Sequence, residues 1–176
     1  MPLNRANQRG FSLLEVLIAV VVVSVGFLAT ARMQIEGLRS SQSAYFLSQA
    51  TFMMRDMADR MRANPEGISN GDYQGIETST TTTWPTCMTS QTECSATDIA
   101  NADLASWSRY LHVSPNSVGF VPTLPSSDSF PAKGTVSFDI GDVDDINDDT
   151  YTISVFWSER IGTADAEQSL SMKVFP

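Results

Sequence analysis

The sequence predicts an α+β protein in which a long N-terminal helix, membrane-spanning in its first half, packs by its second half on an antiparallel sheet of three to four strands. Three observations predict it. Residues 11–31 form an apolar run, residues 32–63 continue it with helical periodicity, and the last third alternates apolar and polar residues as strands do. A helix and a sheet that each have an apolar face bury those faces against one another.

The apolar run of residues 11–31 contains one charged residue, Glu15. As a helix this run measures about 30 Å, the thickness of the hydrocarbon core of a bilayer. Arg5 and Arg9 precede it and favour a cytoplasmic N-terminus, which places the rest of the chain on the far side of the membrane. An acid in hydrocarbon costs a few kcal/mol, so Glu15 is a candidate functional residue.

The same run admits a second interpretation as a removable secretory signal. Arg5 and Arg9 would form its charged region, and Ala29-Thr30-Ala31 would be its cleavage site. This alternative leaves Glu15 without a role, because a discarded segment gains nothing from an acid near its apolar border.

The helix is predicted to run from Phe11 to Ala63, since the Pro65 ring disfavours helical geometry at Asn64. A polar loop is expected after it, and the Thr- and Ser-rich residues 78–83 are expected on the surface. Apolar residues recur at intervals of three and four on the face predicted to meet the globular part: Phe46, Ala50, Met53, Met57 and Met61.

Cys87 and Cys94 are the only cysteines, and the predicted topology places them in an oxidising compartment, where a disulfide is the expected pairing. A zinc site lacks two further ligands here, and a redox pair more typically has the CxxC spacing. Directly afterwards, Ser95 and Asp98 have the spacing of a helix N-cap. The apolar face of that helix is predicted at Ala100, Leu104, Trp107 and Leu111.

Three strands are predicted in the last third, over residues 136–140, 151–157 and 170–174, with Ser117 to Val121 as a candidate fourth. The loop between the first two is rich in aspartate, and the calcium candidates in it are Asp142, Asp144, Asp145 and Asp148. Ile146 and Asn147 break the EF-hand pattern, because a ligand and a glycine are required at those positions. A solvated hairpin loop is therefore the prediction, with calcium binding as the alternative.

Composition and motifs exclude several function classes. The chain has 20 acidic and 11 basic residues and a formal charge of -9, which argues against a nucleic-acid partner. His112 is the only histidine and is predicted to be an ordinary amphipathic or surface position. The sequence has no phosphate-binding loop, GxSxG or HExxH motif. No catalysis, cofactor or small-molecule substrate is expected.

The segment Arg9-Gly10-Phe11-Ser12-Leu13-Leu14-Glu15-Val16 resembles the processing motif of type IV prepilins and pseudopilins. The resemblance implies that a prepilin peptidase removes residues 1–10 by cutting after Gly10. It implies that Phe11 becomes the N-terminal residue and is N-methylated. It also implies that Glu15 neutralises the N-terminal amine of a neighbouring subunit in the assembled pilus.

Features further along the chain are similar to the PilV-type minor pilins: the helix end at residues 57–64, the cysteine pair, and residues 103–107 in a short helix. This likeness implies a leader at 1–10, a transmembrane and assembly helix at 11–31, its amphipathic continuation at 32–64 and a pilin head at 65–176. It implies other minor and major pilins as partners.

The implied role is a minor pilin that helps to prime assembly of the type IV pilus. The protein would begin in the inner membrane with its head in the periplasm. It would end in the pilus near the tip, supporting twitching motility and adhesion. Two alternatives stay open: a minor pseudopilin of type II secretion, and a membrane-anchored or secreted binding domain without an assembly role.

Overall fold

The computed structural model describes residues 11–78, 83–90, 92–112, 122–139 and 150–175. The chain divides into two compact units, Met1–Gln42 and Ser43–Pro176. The described elements, in chain order, are α1 (Leu13–Ala63), α2 (Pro65–Ser69), β1 (Ile76–Glu77), α3 (Cys87–Ser90), α4 (Ala96–Leu111), β2 (Lys133–Asp139), β3 (Thr150–Ile161) and β4 (Ala164–Val174).

The described part of the first unit is helical from Leu13, and every side chain from Phe11 to Gln42 is exposed. The exposed side chains include the apolar ones, among them Leu17, Val21 and Phe27. An apolar helix without a buried face in its own chain requires an apolar surrounding, either lipid or protein.

The second unit has the predicted α+β layout, in which α1 packs on a four-stranded antiparallel sheet of order β1-β2-β3-β4. The core-facing stripe of α1 is confirmed: Ala50, Met53, Met57 and Met61 are at most 2% exposed, and Phe46 is half-buried against them. The buried face is wider than predicted because it also includes Met54 and Ala58.

The predicted end of α1 at Ala63 is confirmed, but the polar loop expected next is wrong, because α2 follows directly. Asn64 caps α2 with its side-chain oxygen, which accepts a hydrogen bond from the Gly67 N–H at 3.2 Å. Pro65 occupies the first turn of α2. A backbone N–H at this position would have no acceptor within the helix, so proline costs no hydrogen bond there. The same proline that interrupts α1 therefore starts the next helix.

The helix predicted after Cys94 is confirmed as α4, and its start is a reciprocal capping box. Ser95 Oγ accepts a hydrogen bond from the Asp98 N–H at 3.1 Å, and Asp98 Oδ2 accepts one from the Ser95 N–H at 3.2 Å. The predicted face is buried at Ala100, Trp107 and Leu111, whereas Leu104 is half-buried.

The three predicted strands are confirmed as β2, β3 and β4, which pair in sequence order without a break in register. The fourth described strand, β1, was not predicted; Ile76 pairs with Val136 and Glu77 with Thr135. The candidate strand at Ser117 to Val121 lies outside the described residues.

The prediction that residue 78 is on the surface is wrong, because Thr78 is 4% exposed. Its N–H donates to the Gly134 carbonyl at 2.9 Å, and its Oγ1 accepts from the Gly134 N–H at 2.9 Å. Thr78 thus continues the pairing of β1 with β2. Its hydroxyl takes the place of a backbone carbonyl as the acceptor of the Gly134 N–H.

Candidate functional site

Phe11 lies just before α1, and Glu15 lies in the first turn of this helix. The Ser12 carbonyl accepts a hydrogen bond from the Glu15 N–H at 3.0 Å, and Ser12 Oγ accepts one from the Leu14 N–H at 3.3 Å. Ser12 therefore satisfies backbone donors that a helix start leaves without partners. Phe11 precedes the helix with its side chain 84% exposed.

Glu15 is an exposed acid at the start of one apolar face of α1. The face continues through Val16, Val20, Val23 and Phe27. Among the ion pairs between described residues, none includes Glu15. Its position in the first helical turn is favourable for a negative charge, because the N–H groups there carry partial positive charge.

The helix is long and apolar enough to cross a membrane. Its most apolar stretch has a mean hydropathy of 2.5, and no part of this stretch is buried. Absence of burial distinguishes this segment from the core helix of a soluble domain. A transmembrane-capable helix that opens with an acid is therefore present as predicted.

Gly10 lies outside the described residues. The cut between Gly10 and Phe11, the N-methylation of Phe11 and the assembly role of Glu15 thus remain predictions.

The predicted disulfide between Cys87 and Cys94 is present, with a Cα–Cα distance of 5.3 Å. It closes a loop that contains α3 and brings the chain to Ser95, the residue that caps α4. Just before the loop, the Trp84 ring lies 5.0 Å from the Arg109 guanidinium on the surface of α4. The disulfide fixes the loop next to the start of α4, and the contact between Trp84 and Arg109 fixes it near the end of α4.

A polar cluster of the buried residues Asn64, Tyr73 and Asp103 and the half-buried Arg60 joins the end of α1 to α4. The Tyr73 hydroxyl donates to Asp103 Oδ2 at 2.7 Å and accepts from Asn64 Nδ2 at 3.1 Å. Arg60 donates to the other oxygen of Asp103 at 3.3 Å. Burial raises the pKa of Tyr73, and its hydrogen bond to Asp103 raises it further, so the phenol is neutral in the folded protein.

Sequence reasoning missed this cluster, although one signal was available. Asp103 is a charged residue that neighbours the predicted apolar positions of α4, and such a residue is expected to have a buried partner. The sequence does not show that the partners are Arg60, 43 residues earlier, and Tyr73, 30 residues earlier.

His112 is half-buried, as an amphipathic position at the end of α4 would be. Its Nε2 lies 3.0 Å from Thr78 Oγ1, the hydroxyl that also accepts the Gly134 N–H. Burial lowers the pKa of His112, and the contact with Thr78 raises it by less. The neutral ring is therefore favoured, and it contributes a structural hydrogen bond at the end of α4.

The aspartate-rich loop with Asp142, Asp144, Asp145 and Asp148 lies outside the described residues, so calcium binding there stays a prediction. Within the ranges that the structure describes, no three His, Cys, Asp or Glu side chains are grouped so that they could hold a metal ion.

Comparison with known families gives two matches, both in the N-terminal and central parts of the chain. Residues 5–31 match the prokaryotic N-terminal methylation motif, and residues 32–105 match the family described as type IV pilin Tt1218. No curated protein and no solved structure matches the chain in the corresponding searches. The two family matches adjoin and together run from Arg5 through most of α4, so this part of the chain is similar to type IV pilins and to their N-terminal methylation motif.

Proposed function

We propose that this protein is a minor pilin of the type IV pilus, of the PilV type, that contributes to the priming of pilus assembly and to a tip-associated complex. The observation that carries the proposal is the start of α1. The methylation motif match covers the first part of α1, where the apolar side chains are exposed, with Phe11 just before the helix and Glu15 in its first turn. Other minor pilins, major pilins and the prepilin peptidase are the proposed partners.

In the proposed sequence of events, the peptidase hydrolyses the bond between Gly10 and Phe11 on the cytoplasmic side of the inner membrane. The hydrolysis leaves a positive amine on Phe11, which is then N-methylated and keeps its charge. Glu15 lies four residues further along the chain, in the first turn of α1. The amine of one subunit and the Glu15 carboxylate of its neighbour then form an ion pair as helices come together.

The physical effect of that pair is to select the register between helices. Opposite charges attract strongly in a medium of low dielectric constant, but removing both from water costs a comparable amount. Registers that leave the Glu15 carboxylate unpaired in an apolar bundle are costly by several kcal/mol. Glu15 therefore acts mainly by excluding incorrect registers.

The proposed location follows from the same segment. Residues 11–31 anchor the precursor in the inner membrane with residues 1–10 in the cytoplasm and the head, residues 65–176, in the periplasm. After assembly the protein would lie near the pilus tip, where it would support twitching motility and adhesion. The predicted disulfide suits this route, because the periplasm is oxidising.

Mass spectrometry of the purified mature protein tests the processing step. We expect a chain that begins at N-methylated Phe11, and we expect the Gly10→Val variant to keep its full leader because the added side chain obstructs the peptidase. A mature chain beginning at Arg32 would show a cleaved secretory signal instead. A mature-length Gly10→Val product would contradict the assigned bond.

A second experiment tests the assembly role of Glu15. The Glu15→Ala variant should be processed normally yet be lost from sheared pili, since the neighbour's amine then has no counter-charge. Glu36→Ala is the matched control, because it removes an exposed acid from the same helix outside residues 11–31. Equal recovery of the two variants in sheared pili would refute the role.

Deletion of the gene distinguishes the pilus from type II secretion. A minor pilin predicts loss of twitching with normal export of secreted enzymes, whereas a minor pseudopilin predicts the reverse. The size of the head, residues 65–176, favours the pilus, because pseudopilins of related helix sequence are usually shorter.

A further inference from the structure

Three residues, His112, Thr78 and Gly134, form a clamp that ties the end of α4 to the β1 edge of the sheet. The Gly134 N–H donates to Thr78 Oγ1 at 2.9 Å, and the Thr78 N–H donates to the Gly134 carbonyl at 2.9 Å. His112 Nε2 lies 3.0 Å from the same Thr78 oxygen. The hydroxyl of Thr78 therefore links the backbone of β2 to the imidazole ring.

The clamp determines which nitrogen of His112 carries a proton. Thr78 Oγ1 already accepts the Gly134 N–H, and its own hydrogen needs an acceptor because Thr78 is 4% exposed. Among the described residues, His112 Nε2 is the acceptor within hydrogen-bond distance of this hydroxyl. We therefore assign the neutral tautomer, with the hydrogen on Nδ1 and the lone pair on Nε2.

A proton on Nε2 removes that acceptor. The imidazolium has an N–H on both nitrogens, so the Thr78 oxygen would face two donors while its own hydrogen loses its partner. A buried donor without a partner costs about 1–3 kcal/mol. Burial of the ring also disfavours the charged form and lowers the pKa of His112. The clamp is thus complete only when His112 is neutral.

Among the described residues, no charged side chain compensates for a proton on His112. Burial and the Thr78 contact are the two influences on its pKa. The charged groups on the elements that meet at the clamp have other partners: Arg109 of α4 stacks on Trp84, and Glu77 of β1 lies 3.8 Å from Lys133 of β2. Residues 79–82 and 113–121, which flank Thr78 and His112 outside the described ranges, include no charged or titratable residue.

The strand β1 has few other contacts that hold it to the sheet. It has two residues, which pair with Val136 and Thr135, and Thr78 adds the last two hydrogen bonds of this pairing. By contrast, β2 pairs with β3 over seven residues, and β3 pairs with β4 over eleven. Loss of the clamp should therefore detach β1 while the three long strands stay together.

We propose that the clamp is an acid-sensitive switch, which holds β1 on the sheet while the His112 ring is neutral and releases β1 from β2 when the ring is protonated. Release frees the two backbone groups of Gly134 that bond to Thr78 and leaves β2, β3 and β4 paired. The switch goes beyond the proposed pilin role and does not depend on it, because all of its residues lie in the head.

The pH range of the switch follows from proton linkage. In the released state the ring is in water, where the pKa of histidine is about 6.5, whereas burial lowers the pKa of His112 in the clamped state. Between these two values the released state binds more protons, so acid favours release. The ratio of released to clamped protein rises by up to tenfold for each pH unit of acidification within this range.

The experiment uses NMR on the full chain in detergent micelles. His112 is the only histidine, so the resonances of its ring nitrogens are unambiguous. We expect the Nδ1–H tautomer at pH 7.5 and a titration midpoint below 6.5. As the ring titrates, the Gly134 amide should lose protection from hydrogen exchange by tenfold or more, after correction for the intrinsic rate at each pH. The Val155 amide, in the middle of β3, should stay protected.

Four variants separate the ring and the hydroxyl from general effects. His112→Gln keeps an acceptor that does not titrate, so Gly134 should stay protected at pH 5. Thr78→Val should expose the Gly134 amide at pH 7.5 as well, and Thr78→Ser should restore the wild-type pH profile. Thr152→Val is the matched control, because it changes a half-buried threonine of β3 outside the clamp, and it should leave the profile unchanged.

Four results would overturn the proposal. They are an Nε2–H tautomer at pH 7.5, protection of Gly134 that does not change with pH, a wild-type pH profile in His112→Gln, and loss of protection at Val155 in step with Gly134. The last result would mean that acid unfolds the whole sheet instead of releasing β1.

Discussion

The indole ring of Trp107 lies directly against the backbone of Gly134. A methyl group at the Gly134 Cα would come within 2.6 Å of the ring atom Cζ3. The ring cannot easily move away, because Trp107 is 0% exposed and its Nε1–H donates to the Met53 carbonyl at 3.2 Å. Helix α4 therefore reaches the sheet where β2 has no side chain, and its tryptophan is fixed to α1 at the same time.

Replacing Gly134 with alanine should lower the free energy of unfolding of the head by about 1–3 kcal/mol, because the added methyl overpacks a rigid contact. Urea unfolding of the full chain in detergent, followed by tryptophan fluorescence, measures the change. Gly37→Ala is the control, since the same methyl meets nothing within 4 Å there. Equal unfolding midpoints for the two variants would contradict this account of Gly134.

Replacing Tyr73 with phenylalanine should also destabilise the head, by about 1–3 kcal/mol, because buried Asp103 and Asn64 each lose a hydrogen-bond partner. The ring is otherwise retained, so packing changes little. Tyr45→Phe, at a tyrosine that is 54% exposed, is the control and should shift the urea midpoint far less. A Tyr73→Phe variant as stable as that control would mean that the cluster contributes little.

Stability should depend on the protonation of His112 in mildly acidic solution. Burial lowers the pKa of His112 in the folded protein, so between that pKa and about 6.5 the unfolded chain binds more protons than the native one. The stability contributed by the neutral ring is complete above pH 6.5 and falls as the pH drops through this window.

The measurement compares the urea midpoints of wild type and His112→Gln at pH 7.5 and pH 5. We expect the wild type to lose more stability than the variant, because carboxylates contribute equally to both. Parallel losses would show that the histidine does not carry the effect.

Removing the disulfide through Cys87→Ser with Cys94→Ser should cost about 2–3 kcal/mol, the loop-closure entropy expected for so short a loop. Because Cys94 adjoins the cap residue Ser95, hydrogen exchange should also rise in the first turn of α4. Wild type under reducing conditions should behave like the double variant. Unchanged exchange in that turn would show that the capping box holds α4 without help from the disulfide.

The parts of this fold that were predictable from the sequence are those encoded by local pattern. The end of α1 follows from Asn64-Pro65, the start of α4 from the Ser95 and Asp98 pair, and the three long strands from alternation. Each of these features depends on residues that are close together in the sequence, where the spacing of residue types determines the local backbone geometry.

The missed parts depend on contacts between distant residues. β1 is two residues long, too short to show alternation, and exists because Thr78 bonds to Gly134 across 56 residues of chain. The same contact buries a threonine that composition assigns to the surface. Within the candidate site, the sequence predicted Phe11, Glu15 and the disulfide but not the cluster around Asp103, whose partners tertiary structure brings together.

The exposed apolar side chains in the first part of α1 limit the environments that this helix can pass through. Apolar area transferred into water is unfavourable by about 25 cal/mol for each Å², so this helix is not expected to pass through an aqueous intermediate as a free monomer. On the proposed pilin route, we therefore expect this helix to leave the lipid and to contact the helices of other subunits in a single step.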